Sequence, residues 1–192
     1  PPPPTTKFPW PWLDRDRPTV LVTLGTANAG AGTRFLAECT KAVLARRARL
    51  RAVIVDPGHG HCSLSDSVLI APRVPQLELL EHVDAVVCHA GHNTVCETLW
   101  HGRPLVVAPI RDDQPIIAQQ VVDAGAGIRV RFNRVDSARL GAAITAVLDE
   151  QAYRAAAGRV GRSFRAAGGA AAAAAHLERI ASQPAGAGTV SR

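Results

Sequence analysis

At 192 residues, with 47% hydrophobic and 20% charged residues, the chain holds enough apolar material for one well-buried core and too much for global disorder. Its formal charge of +6 is spread over Arg34, Arg46, Arg47, Arg49, Arg51 and a C-terminal arginine series, and this scatter argues against a dedicated polyanion-binding block. The four cysteines, Cys39, Cys62, Cys88 and Cys96, lack the regular spacing of a disulfide scaffold and point to reduced thiols in a cytoplasm; no basic-then-apolar leader and no apolar run near the ~20 residues of a membrane span is found, so contact with a membrane is expected only through a partner.

Residues 1–18 carry seven prolines, which predicts an extended arm entering from something upstream rather than a helix. A β-branched run over 19–24 reads as a buried strand stopped by Gly25. Helical spacing of Phe35, Leu36, Cys39, Val43 and Leu44 follows within 32–48. The alternation then recurs: strand 51–55, a Gly/His/Ser loop, strand 68–71, helix 76–81, strand 85–88, helix 93–101, strand 105–108, helix 115–124 and strand 127–130. Helices are expected at 137–150 and about 153–180, with a kink or break at Gly168-Gly169, and a tail from 183 to 192 that frays. Short apolar strands alternating with helices specify an α/β Rossmann-like fold, a parallel sheet of about six strands with helices on both faces, occupying 19–182.

In such sheets ligands sit beyond the carboxyl ends of the strands, where loops enter helix N-termini with free N–H groups and a positive dipole end. The loop 25–32 can offer backbone N–H groups and the Thr26 hydroxyl to a phosphate, but it lacks both the P-loop Lys and GxGxxG spacing. The loop 89–94 is the stronger candidate. Gly91 permits close backbone approach, Asn93 or Thr94 can cap the next helix, and the His89 imidazole can donate to a phosphate oxygen. Glu97, one turn on, can accept from two vicinal ribose hydroxyls, or serve only as a first-turn charge favoured by the helix dipole. After the next strand, Asp113 and Gln114 present acceptors and a donor for sugar hydroxyls, with N-capping as the bland alternative.

Taken together, HAGHNTVCETLWHGRPLVVAPIRDDQ over residues 89–114 resembles the signature of the UDP-glycosyltransferase superfamily, of GT-B fold and family 1 type, as in natural-product glycosyltransferases. The similarity extends from VLVTLGT at 20–26, through RVPQ at 73–76, to the Gly-Gly-Ala near residue 170, and so covers most of the chain. It implies the C-terminal, donor-binding domain of an enzyme that moves a hexose from a UDP- or dTDP-sugar to a hydroxyl acceptor. By that resemblance His89 stabilises the leaving diphosphate, Gly91, His92, Asn93 and Thr94 cradle it, Thr26 lies near the phosphates, and Glu97 holds the ribose. Arg73, Val74 and Gln76 lie beside the base, and Asp113 and Gln114 bind the sugar. Two positions depart from the plant-type pattern: Arg73 replaces an aromatic residue, and His92 replaces a tryptophan. The resemblance implies no metal and no cofactor. It does imply a partner, an N-terminal acceptor-binding domain or separate subunit that supplies the general base.

Three rivals stand beside this reading. A non-catalytic nucleotide-sugar-binding subunit would share the whole donor site. A zinc site from Cys88, His89, His92 and Cys96 is disfavoured because Cys88 should face the core if His89 faces the rim. A nucleic-acid surface on Arg154, Arg159, Arg162 and Arg165 has only Tyr153 and Phe164 as stacking residues, and a solvated helix face is the commoner outcome. His59 and His61 fall in the Gly-rich loop, read as mobile surface.

Overall fold

The computed structural model describes residues 8–13, 16–25 and 32–182. Six parallel strands form its centre: β1 (Thr19–Thr23), β2 (Arg51–Val55), β4 (Val68–Ala71), β5 (Ala85–Cys88), β6 (Leu105–Val107) and β7 (Gly127–Arg129). A two-residue strand β3 (Ser63–Leu64) pairs antiparallel with β4 at the edge, so the order is β3-β4-β2-β1-β5-β6-β7. The expected six strands are therefore joined by a seventh. Two residues inside a polar Gly/His/Ser stretch give no periodic pattern to detect; the Ser65 hydroxyl bonded to Val68 N–H and C=O makes the turn that pairs them.

Strand residues alternate between two apolar layers, as the period of two requires. Val20, Val22, Ala52, Ile54, Val87 and Val106 pack with α1 (Thr33–Leu44) and α5 (Ser137–Asp149). Leu21, Val53, Leu69, Val86, Cys88 and Val107 pack on the opposite face with α2 (Gln76–Leu79), α3 (His92–Trp100) and α4 (Gln114–Asp123). Burial on both faces explains why the strands read as continuous apolar runs. The helix α6 (Gln151–Ala166) returns beneath α3, and Gly161 lets its backbone approach the Leu99 carbonyl, where a Cβ would overlap. Gly168 and Gly169, both at positive φ, break the chain before α7 (Gly169–Ala181), none of whose residues is buried and which exposes Leu177 and Ile180. Among the described residues no helix is long and apolar enough to cross a membrane.

The described part of the Pro-rich arm differs from the extended expectation. Phe8 is buried, and Trp10–Trp12 forms a 3-10 turn with Pro11 inside it. Aromatic burial overrides the proline preference here: Trp12 Nε1–H donates to the Ser65 carbonyl at 2.7 Å, and Arg51 lies over the Trp12 ring 5.5 Å from its centroid. Arg51 also donates to the Trp12 carbonyl at 2.9 Å, and Arg17 grips Asp66 through two N–H groups at 3.0 and 3.1 Å.

Candidate functional site

Chain order runs outward from β1 to β2 and β4 on one side and from β5 to β6 and β7 on the other. The topological switch point is thus the crevice between β1 and β5, whose last paired residues are Thr23 and Cys88. Gly25 follows the first strand and His89 the second, and the imidazole fills the crevice between Gly25 and Gly91. A Cβ at Gly25 would sit 2.9 Å from the His89 ring, and one at Gly91 would overlap it. His89 is buried and its Nδ1 has no hydrogen-bond partner among the described residues. Burial lowers its pKa below the usual histidine value, opposed by the negative charge of Asp113. A buried histidine with an unpartnered ring nitrogen at the switch point marks this crevice as the candidate ligand site.

Helix α3 starts at His92 with Gly91 as its N-cap, and the first helical bond runs from Val95 N–H to the Gly91 carbonyl. Neither Asn93 nor Thr94 caps the helix. The N–H groups of His92, Asn93 and Thr94 belong to the first turn, which has no intrahelical acceptors for them. Asn93 and His92 are exposed and Thr94 is buried, its carbonyl accepting from the Thr98 hydroxyl at 2.6 Å. Ala90, between His89 and Gly91, holds a left-handed φ of 63°, and Asp112, in the loop after β6, a φ of 55°. Strained non-glycine residues in two neighbouring loops mark the rim.

Glu97 is half-buried on α3, and its Oε2 accepts from Gln76 Nε2 at 2.7 Å. Gln76 opens α2, and with Arg73, Val74, Pro72, Val55, Pro57, Thr23 and Gly25 it lines a cleft of about 470 Å³. Arg73 is exposed at the mouth of this cleft and Val74 is half-buried. On the other side of His89, Asp113 is exposed at the N-cap position of α4 but makes no capping bond through its side chain. Gln114 is buried; its Oε1 accepts from Ile110 N–H at 2.9 Å and Arg111 N–H at 3.1 Å, so it offers its NH₂ group rather than a second acceptor. Thr26 lies outside the described residues.

Cys88 is fully buried in the sheet, its thiol pushed up to about 12 by burial, whereas Cys96 Sγ lies 3.6 Å from His92 Nε2 on the helix. The pairing of Gly25 with His89 and the strained Ala90 and Asp112 escape sequence reading; a glycine directly after the first strand is the only trace of them.

The family model for the erythromycin biosynthesis protein CIII-like C-terminal domain matches residues 42–180. The chain belongs to this family. 4'-Demethylrebeccamycin synthase of Lentzea aerocolonigenes is 33% identical over 157 residues, 82% of this chain and 37% of that protein. NDP-glycosyltransferase YjiC of Bacillus subtilis (strain 168) is 33% identical over 171 residues, 85% of this chain and 42% of that protein. The solved structure of the glycotransferase of kitacinnamycin superposes with a TM-score of 0.76 at 32% identity, covering 85% of this chain and 43% of that one. Os79 from O. sativa, solved in complex with UDP and deoxynivalenol-3-glucoside, gives a TM-score of 0.66 at 27% identity over 83% of this chain and 40% of that one. The fold is that of the C-terminal domain of GT-B glycosyltransferases. The chain spans 42% or less of the length of these curated relatives.

Proposed function

We propose that this chain is the donor-binding part of a glycosyltransferase that moves a hexose from a UDP- or dTDP-sugar to a hydroxyl acceptor. The observation that carries the reading is the β1/β5 crevice, where the His89 imidazole sits between two glycines at the N-terminus of α3. In this reading the diphosphate takes the first-turn N–H groups of α3, with Gly91 admitting it and His92, Asn93 and Thr94 surrounding it; Thr26 is assigned to the phosphates by its motif alone. Glu97 receives the ribose, Arg73, Val74 and Gln76 flank the base, and Asp113 with the Gln114 NH₂ meets the sugar.

As the bond from anomeric carbon to diphosphate breaks, negative charge builds on the leaving oxygen; His89, the loop N–H groups and the helix dipole stabilise it without reorganising. A general base must take the proton of the attacking hydroxyl. An N-terminal acceptor-binding domain or a separate subunit supplies that base, and the donor part corresponds to residues 19–182. We assign docking of such a partner to the Pro-rich arm and to α7, on which Leu177 and Ile180 are exposed. The setting is cytoplasmic.

Calorimetric titration with UDP, dTDP and their glucose conjugates tests the donor site, and a folded sample that binds none of them refutes it. A transfer assay beside a longer polypeptide tests the division of labour. Donor binding with negligible transfer is expected of the 192-residue chain alone. Robust turnover would place the base within it, with His59, His61 and Asp112 the first residues to substitute.

A further inference from the structure

Residues 56–62 carry the chain from β2 to β3, and they are bonded among themselves in two successive turns. His59 N–H donates to the Asp56 carbonyl at 3.0 Å, and Asp56 Oδ1 accepts from Gly58 N–H at 3.0 Å. His61 N–H then donates to the His59 carbonyl at 2.8 Å, which closes a γ-turn on Gly60 at φ 70°. A Cβ at Gly60 would meet no neighbour, so the backbone conformation alone asks for glycine there.

The consequence of so tight a turn lies in the side chains that flank it. It brings the two imidazoles face to face, with ring centroids 5.0 Å apart and planes 34° from parallel. His59 is half-buried and His61 exposed, and neither ring has a hydrogen-bond partner among the described residues. Two nitrogens each ~2.0–2.1 Å from one ion stand about 3 Å apart in adjacent coordination positions. Rings already in contact reach that spacing by rotation about their side-chain bonds. Among the described residues no three His, Cys, Asp or Glu side chains converge on one point, so this is an open chelate rather than a closed structural site. Imidazole nitrogen suits the borderline ions Ni²⁺, Cu²⁺ and Zn²⁺, whereas Mg²⁺ and Ca²⁺ seek oxygen.

We propose that His59 and His61 form a surface site for one borderline divalent transition-metal ion, held by the two imidazoles with water in the remaining positions. The site is separate from the donor crevice and does not depend on the donor reading: Pro57 lines the cleft beside β1, and from there the loop runs out to the edge strand β3. An ion bound there fastens the γ-turn.

The test is calorimetric titration of the full 192-residue chain with Ni²⁺ and Zn²⁺, with Mg²⁺ as the oxygen-seeking control. His59→Gln and His61→Gln should each weaken Ni²⁺ by about 10-fold or more, because a lone imidazole loses the chelate. The double variant should lie within about threefold of the weaker single one, since the chelate is already broken. Cys62→Ser, at the exposed thiol next in the chain, should change Ni²⁺ affinity by less than about twofold. Amide exchange should slow over residues 56–62 when Ni²⁺ is added. A loss of less than about threefold in either histidine variant, a Cys62→Ser loss as large as theirs, or slowed exchange confined to other histidines such as His92 overturns the proposal. So does binding of Mg²⁺ as tight as that of Ni²⁺.

Discussion

Replacing Gly91 by Ala isolates the packing of His89 from backbone effects. Gly91 sits at φ −65°, ψ 135°, a conformation any residue adopts, so the added methyl brings no strain of its own. Fewer unfolded conformations would even favour the variant by about 0.4–1 kcal/mol. The methyl, however, overlaps the His89 imidazole, and the ring cannot retreat freely because Gly25 closes the other side, with a Cβ position only 2.9 Å from Cε1. Overpacking a buried group costs about 1–3 kcal/mol. The net expectation is a loss of about 0.5–2 kcal/mol in urea unfolding, together with weaker UDP binding in calorimetry, because the displaced ring blocks the mouth of the α3 N-terminus. In a His89→Ala background the overlap vanishes and Gly91→Ala should become neutral or slightly stabilising. Unchanged stability and affinity in the single variant, or an equal loss in both backgrounds, would refute the reasoning.

The depressed pKa of His89 predicts a pH effect. The unfolded chain binds more protons as pH falls through the ordinary value of 6.5, so this contribution to stability is full above that value and is lost below it; melts from pH 8 to 5.5 should show a slope that His89→Gln reduces. Gly161→Ala should drive α6 away from the Leu99 carbonyl at a cost of about 1–3 kcal/mol in urea, since a backbone oxygen cannot step aside as a side chain would. Trp12→Ala removes the bond to Ser65 and the ring beneath Arg51, and should lower stability by about 1–3 kcal/mol in the same assay if the arm is fastened to the body.

The central parallel strands were legible because they are buried on both faces. Runs such as Thr19–Thr23 and Ala85–Cys88 carry β-branched and small apolar residues without interruption, and turn residues or helical spacing bound them. Their helices matched to within a few residues for the same reason: Phe35, Leu36, Cys39 and Val43 lie on one side of α1 and all are buried. Where sequence reading stopped short, the stabilising partner is far away in the chain. β3 exists through its pairing with Leu69 and Ile70, and the turn at Trp10–Trp12 exists because Arg51 and Ser65 receive it. Proline content predicted an extended arm, and its described part folds into a 3-10 turn instead, because a local tendency worth a fraction of the burial of Phe8 and the packing of two half-buried indoles does not decide the outcome.

The site divides in the same way. The positions of His89 and Asp113 followed from one rule, that loops after parallel strands gather at one rim, and the two lie in neighbouring loops, with Glu97 on the helix that follows the first. Which atoms remain free for a ligand did not follow. Gln114 spends its carbonyl oxygen on its own loop and Gln76 spends one N–H on Glu97, so two glutamines that look alike in sequence present different remainders: an NH₂ group in the first case, a carbonyl oxygen and one N–H in the second. Likewise, Gly25 and Gly91 read separately as a strand stop and a permissive turn, yet together they make the slot that one imidazole fills. Motif spacing identifies the side chains at a rim because spacing is a property of one segment. The donors and acceptors left over depend on contacts between segments, and those fix the polarity the crevice presents.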